Sequence, residues 1–247
     1  MEHLTSDLEA VTRGAIGQLA FEDVRQTYRE QNEFVFLDRF LPGPAVARLV
    51  SEAEEVRPEV HRSYIPRHKK GGSVSYHTLI GKAPAILALY RSPALVSFLS
   101  RLTGARLLPC PDDDPHACAL YFYTEPGDHI GFHYDTSYYK GARYTVLLGL
   151  VQRSGSRLLC QLHKDDPTRE TRELRIATEP GALIVFNGNK LYHSVSPLGD
   201  GEERIVLTME YVTNPEMGRF RRFVSNMKDG IAYFGLTAVL RRSAGRE

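Results

Sequence analysis

The stretch that decides the fold is residues 121–143, YFYTEPGDHIGFHYDTSYYKGAR. Aromatic and β-branched residues dominate its start and predict a strand, after which Pro126-Gly127 marks a turn or bulge. If the chain is extended again at His133, the side chains of His133 and Asp135 share a face, because alternate residues of a strand do so. An imidazole and a carboxylate then point into one space, as in metal sites built from two histidines and one carboxylate.

A second histidine has to come from another strand, because one local segment cannot supply three ligands on one face. Residues 180–186 form an apolar run behind a Pro-Gly turn and predict a buried strand. Asn187-Gly188 follows as a hairpin signal, and His193 lies in the next run, residues 191–195. His193 is therefore the candidate for the third ligand.

The last predicted strand begins at Arg204 and divides into two faces. Its polar face carries Arg204, Thr208 and Glu210 together with Val206. The other face carries Ile205, Leu207, Met209 and Tyr211. Such a strand needs a polar interior on one side and packed apolar layers on the other. A buried arginine is also costly unless an anion pairs with it.

Composition places the chain among ordinary soluble globular proteins. It has 247 residues, 42% hydrophobic and 25% charged, with a net charge of +1 and a pI near 7.8. This balance gives no reason to expect nucleic acid or a membrane as partner, and the N-terminus does not resemble a secretion signal. Three widely spaced cysteines favour a reducing compartment over a disulfide framework. We expect a cytoplasmic protein.

Helical and strand patterns occupy different parts of the chain. Residues 1–104 are mostly helical, with clear helices at 83–90 and 93–102, and residues 105–213 predict many short strands. Residues 214–247 become helical again, around 217–227 and 231–239. The polar stretch 61–79 is interpreted as a long loop, either a functional lid or a solvated surface segment. This order predicts one domain, 1–247, that is mainly β with flanking helices around a jelly roll or barrel.

These residues together resemble a known superfamily. Gly127, His133-x-Asp135, the distal His193 and Arg204 eleven residues later are similar to the motif of the Fe(II)/2-oxoglutarate-dependent dioxygenases. The resemblance implies a double-stranded β-helix core in which His133, Asp135 and His193 bind iron. It also implies that Arg204 forms a bidentate pair with the C5 carboxylate of 2-oxoglutarate. Dioxygen is the co-substrate, and ascorbate is expected to support the reaction in vitro.

A narrower resemblance concerns small enzymes that hydroxylate or halogenate free amino acids and other free small molecules. The chain length, the helical N-terminal half and residues 211–215, Tyr-Val-Thr-Asn-Pro, are similar to that group. In its halogenases glycine or alanine replaces the carboxylate ligand, whereas Asp135 is present here. The resemblance therefore implies hydroxylation of a small polar metabolite, with release of succinate and CO2. Two alternatives are a prolyl-type hydroxylase of peptide side chains and a non-catalytic jelly-roll binding or sensing protein.

Other residues are candidates with open alternatives. Tyr121 or Tyr123 can donate a phenol hydrogen bond to 2-oxoglutarate, or the two can be a packed aromatic pair. His129 shares the face of His133 on an unbroken strand, so it is a rival ligand or part of the substrate pocket. Glu210, assisted by Thr208, is the candidate for binding a substrate amine. The alternatives for Glu210 are an ion pair with an arginine such as Arg143, or exposure to solvent.

Overall fold

The structure is a computed structural model that describes residues 2–135 and 137–216. Helices dominate the first 103 residues and strands the remainder. The helices are α1 (Glu2–Gly17), α2 (Phe21–Glu30), α3 (Gly43–Glu55), α4 (Tyr76–Lys82), α5 (Pro84–Tyr90) and α6 (Pro93–Thr103). The strands are β1 (Phe34–Leu37), β2 (His61–Ile65), β3 (Lys69–Val74), β4 (Leu108–Pro109), β5 (Cys118–Tyr123), β6 (His129–His133), β7 (Arg143–Arg153), β8 (Leu158–Leu162), β9 (Arg172–Ile176), β10 (Leu183–Asn187), β11 (Tyr192–Val195) and β12 (Glu203–Val212).

The strands form one antiparallel sheet that is rolled up. Its order is β1-β10-β7-β12-β5-β3-β6-β11-β8-β9, with β2 added beside β3 and β4 beside β12. Residues from both ends of this path, such as Phe34 and Phe186 at one end and Leu158 and Ile176 at the other, belong to the same buried cluster. The two ends therefore face each other across one interior. The predicted class, a mainly β protein with a double-stranded β-helix core and flanking helices, is confirmed.

A second and larger core lies between the helices and the outer face of the sheet. One face of β12 contributes to it with Ile205, Leu207, Met209 and Tyr211, as the alternation of the sequence predicts. Helix α3 packs on β7, and helix α1 packs on both α5 and α6. The stretch Pro84–Thr103 passes a test of length and hydropathy for a membrane span. It consists of α5 and α6, however, and 56% of it is buried inside the protein.

The helix ends are fixed by specific acceptors. Ser92 caps α6, since its hydroxyl accepts from the Leu95 amide at 3.1 Å, and Gly104 ends the helix at φ +73°. The buried Glu52 of α3 accepts from the first amides of α5, Ala85 at 2.8 Å and Ile86 at 2.9 Å. A carboxylate at that place also complements the positive end of the helix dipole.

The predicted loop at 61–79 is wrong. Its residues form the hairpin β2–β3 and most of α4, and β3 lies in the sheet between β5 and β6. The glycines that suggested a loop allow close packing instead, because a Cβ on Gly72 would lie 2.4 Å from a methyl carbon of Val60. The helices predicted at 217–227 and 231–239 lie outside the described residues, and a single domain over 1–247 stays a prediction.

Candidate active site

Strand pairing brings the two histidines together. His133 at the end of β6 lies opposite His193 on β11, and their ring centroids are 4.3 Å apart. Asp135 follows just beyond β6, with Oδ1 at 3.3 Å from Nε2 of His133 and Oδ2 at 3.8 Å from Nε2 of His193. One ligand atom from each of the three residues lies within 4.8 Å of the others. The three groups are therefore close enough to share one ion.

Backbone carbonyls set the orientation of both imidazoles. Nδ1 of His133 lies 2.8 Å from the carbonyl of Gly131, and Nδ1 of His193 lies 3.1 Å from that of Leu191. A carbonyl only accepts, so Nδ1 carries the proton in each ring and donates it. Both Nε2 lone pairs consequently face Asp135, which is the arrangement of histidine ligands whose other nitrogen is hydrogen-bonded.

Two of the three groups, His193 and Asp135, favour the protonation state that a metal needs. Burial lowers the pKa of His193, which keeps that ring neutral. Burial lowers the pKa of His133 too, but the hydrogen bond and charge of Asp135 outweigh it and leave the pKa raised. Burial raises the pKa of Asp135, whereas the two histidines lower it further, so the net shift is downward. Asp135 is thus an ionised carboxylate beside a neutral imidazole.

The position of His129 corrects the parity argument. The pairing of β6 with β11 is irregular, because His193 and Val195 lie opposite His133 and Ile130. The extra residue on β6 reverses which side chains face inward. Ile130 therefore lines the cavity, whereas His129 does not and instead contacts the carbonyl of Gly127 at 2.8 Å. Neither the rival-ligand role nor the substrate role of His129 is supported by this geometry.

Arg204 is a buried cation that no carboxylate of the described residues pairs with. Its side chain is 1% exposed, Nη2 donates to the Thr178 hydroxyl at 3.0 Å, and the guanidinium lies 4.9 Å from the ring centroid of Tyr123. Within residues 2–135 and 137–216, Nε of Arg204 has no hydrogen-bond partner and no carboxylate pairs with the guanidinium. Burial lowers the pKa of Arg204, a sign of the missing counter-charge. The residue also lines the cavity that holds the histidines.

Both candidate tyrosines face the same cavity. Tyr123 lies opposite Arg204 in the pairing of β5 with β12, and Tyr121 lies opposite Val206. The hydroxyl of Tyr121 is 3.5 Å from Nδ1 of His116. Burial raises the pKa of Tyr123, so its phenol stays protonated and can donate. Tyr123 is thus the tyrosine nearer to the guanidinium.

Glu210 adopts one of the arrangements that the sequence left open. Nε of Arg143 donates to Oε2 of Glu210 at 2.9 Å, and both side chains are largely buried. The hydroxyl of Thr145 lies 3.0 Å from the same oxygen. Burial raises the pKa of Glu210 to about 7, although the guanidinium of Arg143 opposes this shift. Thr208 and Glu210 both line the cavity, as the alternation along β12 predicts.

Sequence reasoning missed several residues of the cavity wall. Thr145 donates to Oδ2 of Asp135 at 2.8 Å. His68, from the turn of the β2–β3 hairpin, lies with its ring 5.9 Å from that of His133. His116 and Tyr138 line the same space. A signal existed for Thr145 alone, since it is a polar residue at the start of an otherwise apolar strand.

The cavity has a volume of about 490 Å³ and contains two kinds of surface. Part of its wall consists of apolar side chains, and part consists of hydroxyl, imidazole and charged groups. The apolar residues are Leu147, Leu158, Val195 and Val206. The polar residues are His116, Tyr134, Tyr138, Arg143, Thr145, Thr208 and Glu210. This volume is within the range of small-molecule sites.

The residues present fit iron and 2-oxoglutarate. Two imidazoles and one carboxylate on one side of a space are the donor set of non-haem iron oxygenases. The buried guanidinium of Arg204 has a free Nε and lacks a carboxylate partner among the described residues. A dicarboxylate that reaches from the metal to Arg204 supplies that partner. His133, Asp135, His193 and Arg204 are the groups that would hold the two.

Comparisons with known proteins agree with this site. The model of the family Halogenase D matches residues 17–142, a segment that includes His133 and Asp135. A search of curated protein sequences finds no match.

Solved structures of low sequence identity share the fold. One is the non-heme alpha ketoglutarate dependent epimerase SnoN from nogalamycin biosynthesis (TM-score 0.65, 16% identity, covering 78% of this chain and 80% of SnoN). A further SnoN structure contains Fe3+, alpha ketoglutarate and nogalamycin RO. Others are the carbocyclase SnoK (0.65, 14%, 80% and 85%) and a Trichoplax adhaerens prolyl hydroxylase bound to a peptide fragment (0.63, 15%, 89% and 94%). The chain therefore belongs to the Halogenase D family, and it shares its fold with non-heme alpha ketoglutarate dependent enzymes.

Proposed function

We propose that the protein hydroxylates an unactivated C–H bond of a small polar metabolite, a free amino acid or a natural-product precursor, and releases succinate and CO2. The observation that carries the proposal is the intact His133-Asp135-His193 cluster in a cavity of about 490 Å³ with Arg204 at its far end. Three buried free cysteines, Cys110, Cys118 and Cys160, support a reducing compartment such as the cytoplasm as the place of the reaction.

The chain's own residues bind and orient the reactants. When bound, ferrous iron and 2-oxoglutarate supply the oxidising power, drawn from dioxygen and the decarboxylation of the keto acid. Arg204 binds the far carboxylate, and the phenol of Tyr123 lies beside it to donate a further hydrogen bond. Leu147, Leu158 and Val206 keep water from that end of the cavity, which strengthens the charge–charge contact there.

Asp135 favours hydroxylation over halogenation. A halide needs a vacant coordination position, and in the halogenases that this chain resembles the vacancy arises where glycine or alanine replaces the carboxylate. Here the carboxylate is ionised and its Oδ1 lies 3.3 Å from Nε2 of His133. We expect no chlorinated product when chloride is added to the assay. Mass spectrometry of the product checks this, and a chlorine isotope pattern contradicts the role of Asp135.

The cavity supports a small substrate rather than a peptide. The substrate has to share a cavity of about 490 Å³ with 2-oxoglutarate. The hydroxyl, imidazole and charged groups of the cavity wall suit a compact molecule with several polar atoms. A prolyl-type activity on peptides remains the second candidate, because the Trichoplax adhaerens neighbour was solved with a peptide fragment. The two candidates differ in whether free amino acids or only peptides stimulate turnover.

Glu210 is the proposed contact for a substrate amine, with Thr208 beside it. The shorter contacts from Arg143 and Thr145, at 2.9 and 3.0 Å, converge on Oε2, and Oε1 has only a longer contact with the Thr145 hydroxyl, at 3.3 Å. We expect Glu210→Gln to raise the Michaelis constant for the amine substrate and to leave that for 2-oxoglutarate unchanged. If the substrate constant does not change, Glu210 serves only its ion pair with Arg143.

The deciding experiment is a succinate-release screen with Fe(II), ascorbate and 2-oxoglutarate over free amino acids, nucleosides and short peptides. Succinate above the substrate-free rate with an amino acid or another small metabolite, together with a product 16 mass units heavier (one added oxygen), supports the proposal. Stimulation by peptides alone supports the prolyl-type candidate. If no compound stimulates release and iron binds weakly, the protein is a non-catalytic binding or sensing protein. His193→Ala is the control for succinate formed without the metal site.

A further inference from the structure

Asp135 is the one member of the metal cluster that no strand holds. His133 and His193 lie on paired strands, but β6 ends at His133 and Asp135 follows in irregular chain. A carboxylate has two oxygens that can each bind a metal. Other groups must therefore fix both its place and the oxygen that it presents.

Thr145 lies where it can fix the orientation of Asp135. It lies on β7, is 1% exposed, and its hydroxyl donates to Oδ2 of Asp135 at 2.8 Å. Thr145 is the side chain that donates a hydrogen bond to Asp135, because Nε2 of each neighbouring histidine carries a lone pair and not a proton. The other carboxylate oxygen, Oδ1, lies nearer to His133. Oδ2 lies 3.8 Å from Nε2 of His193, so each carboxylate oxygen lies beside one histidine, and the Thr145 hydroxyl binds the oxygen beside His193.

The hydroxyl of Thr145 also contacts Glu210. It lies 3.0 Å from Oε2 of Glu210, and the same oxygen accepts from Nε of Arg143 at 2.9 Å. Thr145 and Glu210 lie opposite each other in the pairing of β7 with β12. A hydroxyl has one proton, so Thr145 donates to one carboxylate at a time, and its contact with Asp135 at 2.8 Å is the shorter one. The pairing of the two strands fixes the place of the threonine oxygen.

We propose that Thr145 is a positioning residue that binds Oδ2 of Asp135 and so fixes the orientation of the carboxylate beside the two histidines. The inference rests on the proposed function, because it takes Asp135 to be a ligand of the metal. Without the hydroxyl, Asp135 loses this fixed orientation.

Metal affinity without co-substrate tests the proposal directly. We expect Thr145→Val and Thr145→Ala to weaken binding of Mn(II), measured by titration of the free ion, by about 10–100-fold, as loss of a partner of a metal ligand does. Thr145→Ser keeps the hydroxyl, so its Mn(II) affinity should lie within about threefold of that of the wild type, since the hydroxyl alone makes the contact with Asp135. The visible spectrum of the Co(II) protein should change in the first two variants and not in the serine variant.

A matched control separates positioning from general destabilisation. Thr12 in α1 is equally buried, and its hydroxyl donates to the carbonyl of Leu8 at 2.7 Å, away from the site. Thr12→Val should leave Mn(II) affinity unchanged whatever it does to the melting temperature of the metal-free protein. If Thr145→Ala binds Mn(II) like the wild type, or if Thr145→Ser is as weak as Thr145→Ala, the inference is overturned.

Failure of the proposed function would give a different pattern. In that case no small metabolite stimulates succinate release by the wild type, yet the Mn(II) affinities of the three Thr145 variants still separate by the presence of the hydroxyl. If instead a substrate is found and the affinities do not separate, only the inference about Thr145 fails.

Discussion

Replacing Arg204 by methionine should stabilise the cofactor-free protein while it abolishes binding of 2-oxoglutarate. The guanidinium is fully buried, and no carboxylate in the described part of the chain balances its charge. Replacing buried ionic groups by apolar ones of similar size stabilises proteins by up to about 4 kcal/mol. The hydrogen bond to Thr178 and the ring of Tyr123 offset part of this gain. We expect a net gain of about 1–2 kcal/mol, or about 2–8 °C in melting temperature.

The effect on 2-oxoglutarate should be opposite and larger. Leaving one charge of a buried pair without its partner costs about 3–5 kcal/mol, so the affinity for 2-oxoglutarate should fall by about two to three and a half orders of magnitude. Differential scanning calorimetry with Mn(II), with and without 2-oxoglutarate, measures both effects. At 100 times its dissociation constant the ligand should stabilise the wild type by about 2.7 kcal/mol and leave the methionine variant unchanged.

Arg204→Lys serves as the control for charge. It keeps the positive charge but not the planar fork, so it should retain weak binding and show no gain in stability. If the methionine variant melts below the wild type in the absence of ligand, the guanidinium has a structural counter-ion after all. The assignment of Arg204 to the co-substrate would then be refuted.

Three further perturbations test other parts of the structure. Gly188→Ala should weaken Mn(II) binding by about tenfold or more, because its Cβ would lie 2.6 Å from the carbonyl oxygen of Asp135 and displace a ligand; unchanged affinity in the titration would contradict this. Glu52→Ala should lower the free energy of unfolding in urea by about 1–3 kcal/mol, since it leaves the buried amides of Ala85 and Ile86 without an acceptor, and a loss below 0.5 kcal/mol would count against it. Asp135→Gly should remove hydroxylation, because loss of a metal ligand is expected to lower the rate by about 10²-fold or more. A variant that still hydroxylates at more than about 10% of the wild-type rate would exclude Asp135 as a ligand.

Regular strands were predictable from the sequence because their pattern is local. The alternation along β12 placed Arg204, Thr208 and Glu210 on the cavity side, and the structure agrees. The same holds for helix α6, which spans Pro93–Thr103 where the sequence predicts a helix at 93–102. Each of these features depends on residues a few positions apart, which is the range over which side-chain periodicity carries information.

The hairpin β2–β3 could not be predicted with the same reasoning. Its second strand contains Lys69, Lys70 and Gly71-Gly72, which have low strand propensity. The segment is a strand because β5 and β6 need a partner between them. Burial of Lys69, which lowers its pKa to about 7, follows from that place in the sheet and not from its neighbours in sequence. Tertiary pairing overrides local propensity here.

The candidate site lies where the sheet departs from regularity, and this explains which of its contacts the sequence could not reveal. A bulge in β6 turns His133 inward and His129 outward, and the chain beyond β6 carries Asp135 against Gly188. Neither the bulge in β6 nor the path of the chain beyond it can be predicted from the two-residue periodicity of a strand.

The part of the cavity at Arg204 also lies beside an irregularity in strand pairing. The pairing of β7 with β12 shifts between Ile205 and Val206, beside Gly149. A Cβ on Gly149 would lie 2.4 Å from the carbonyl oxygen of Thr178, so only glycine allows the Thr178 segment to cross there. That crossing brings the Thr178 hydroxyl to 3.0 Å from Nη2 of Arg204. The strand pattern thus selects which residues face inward, whereas glycines at the bulges determine where their functional atoms lie.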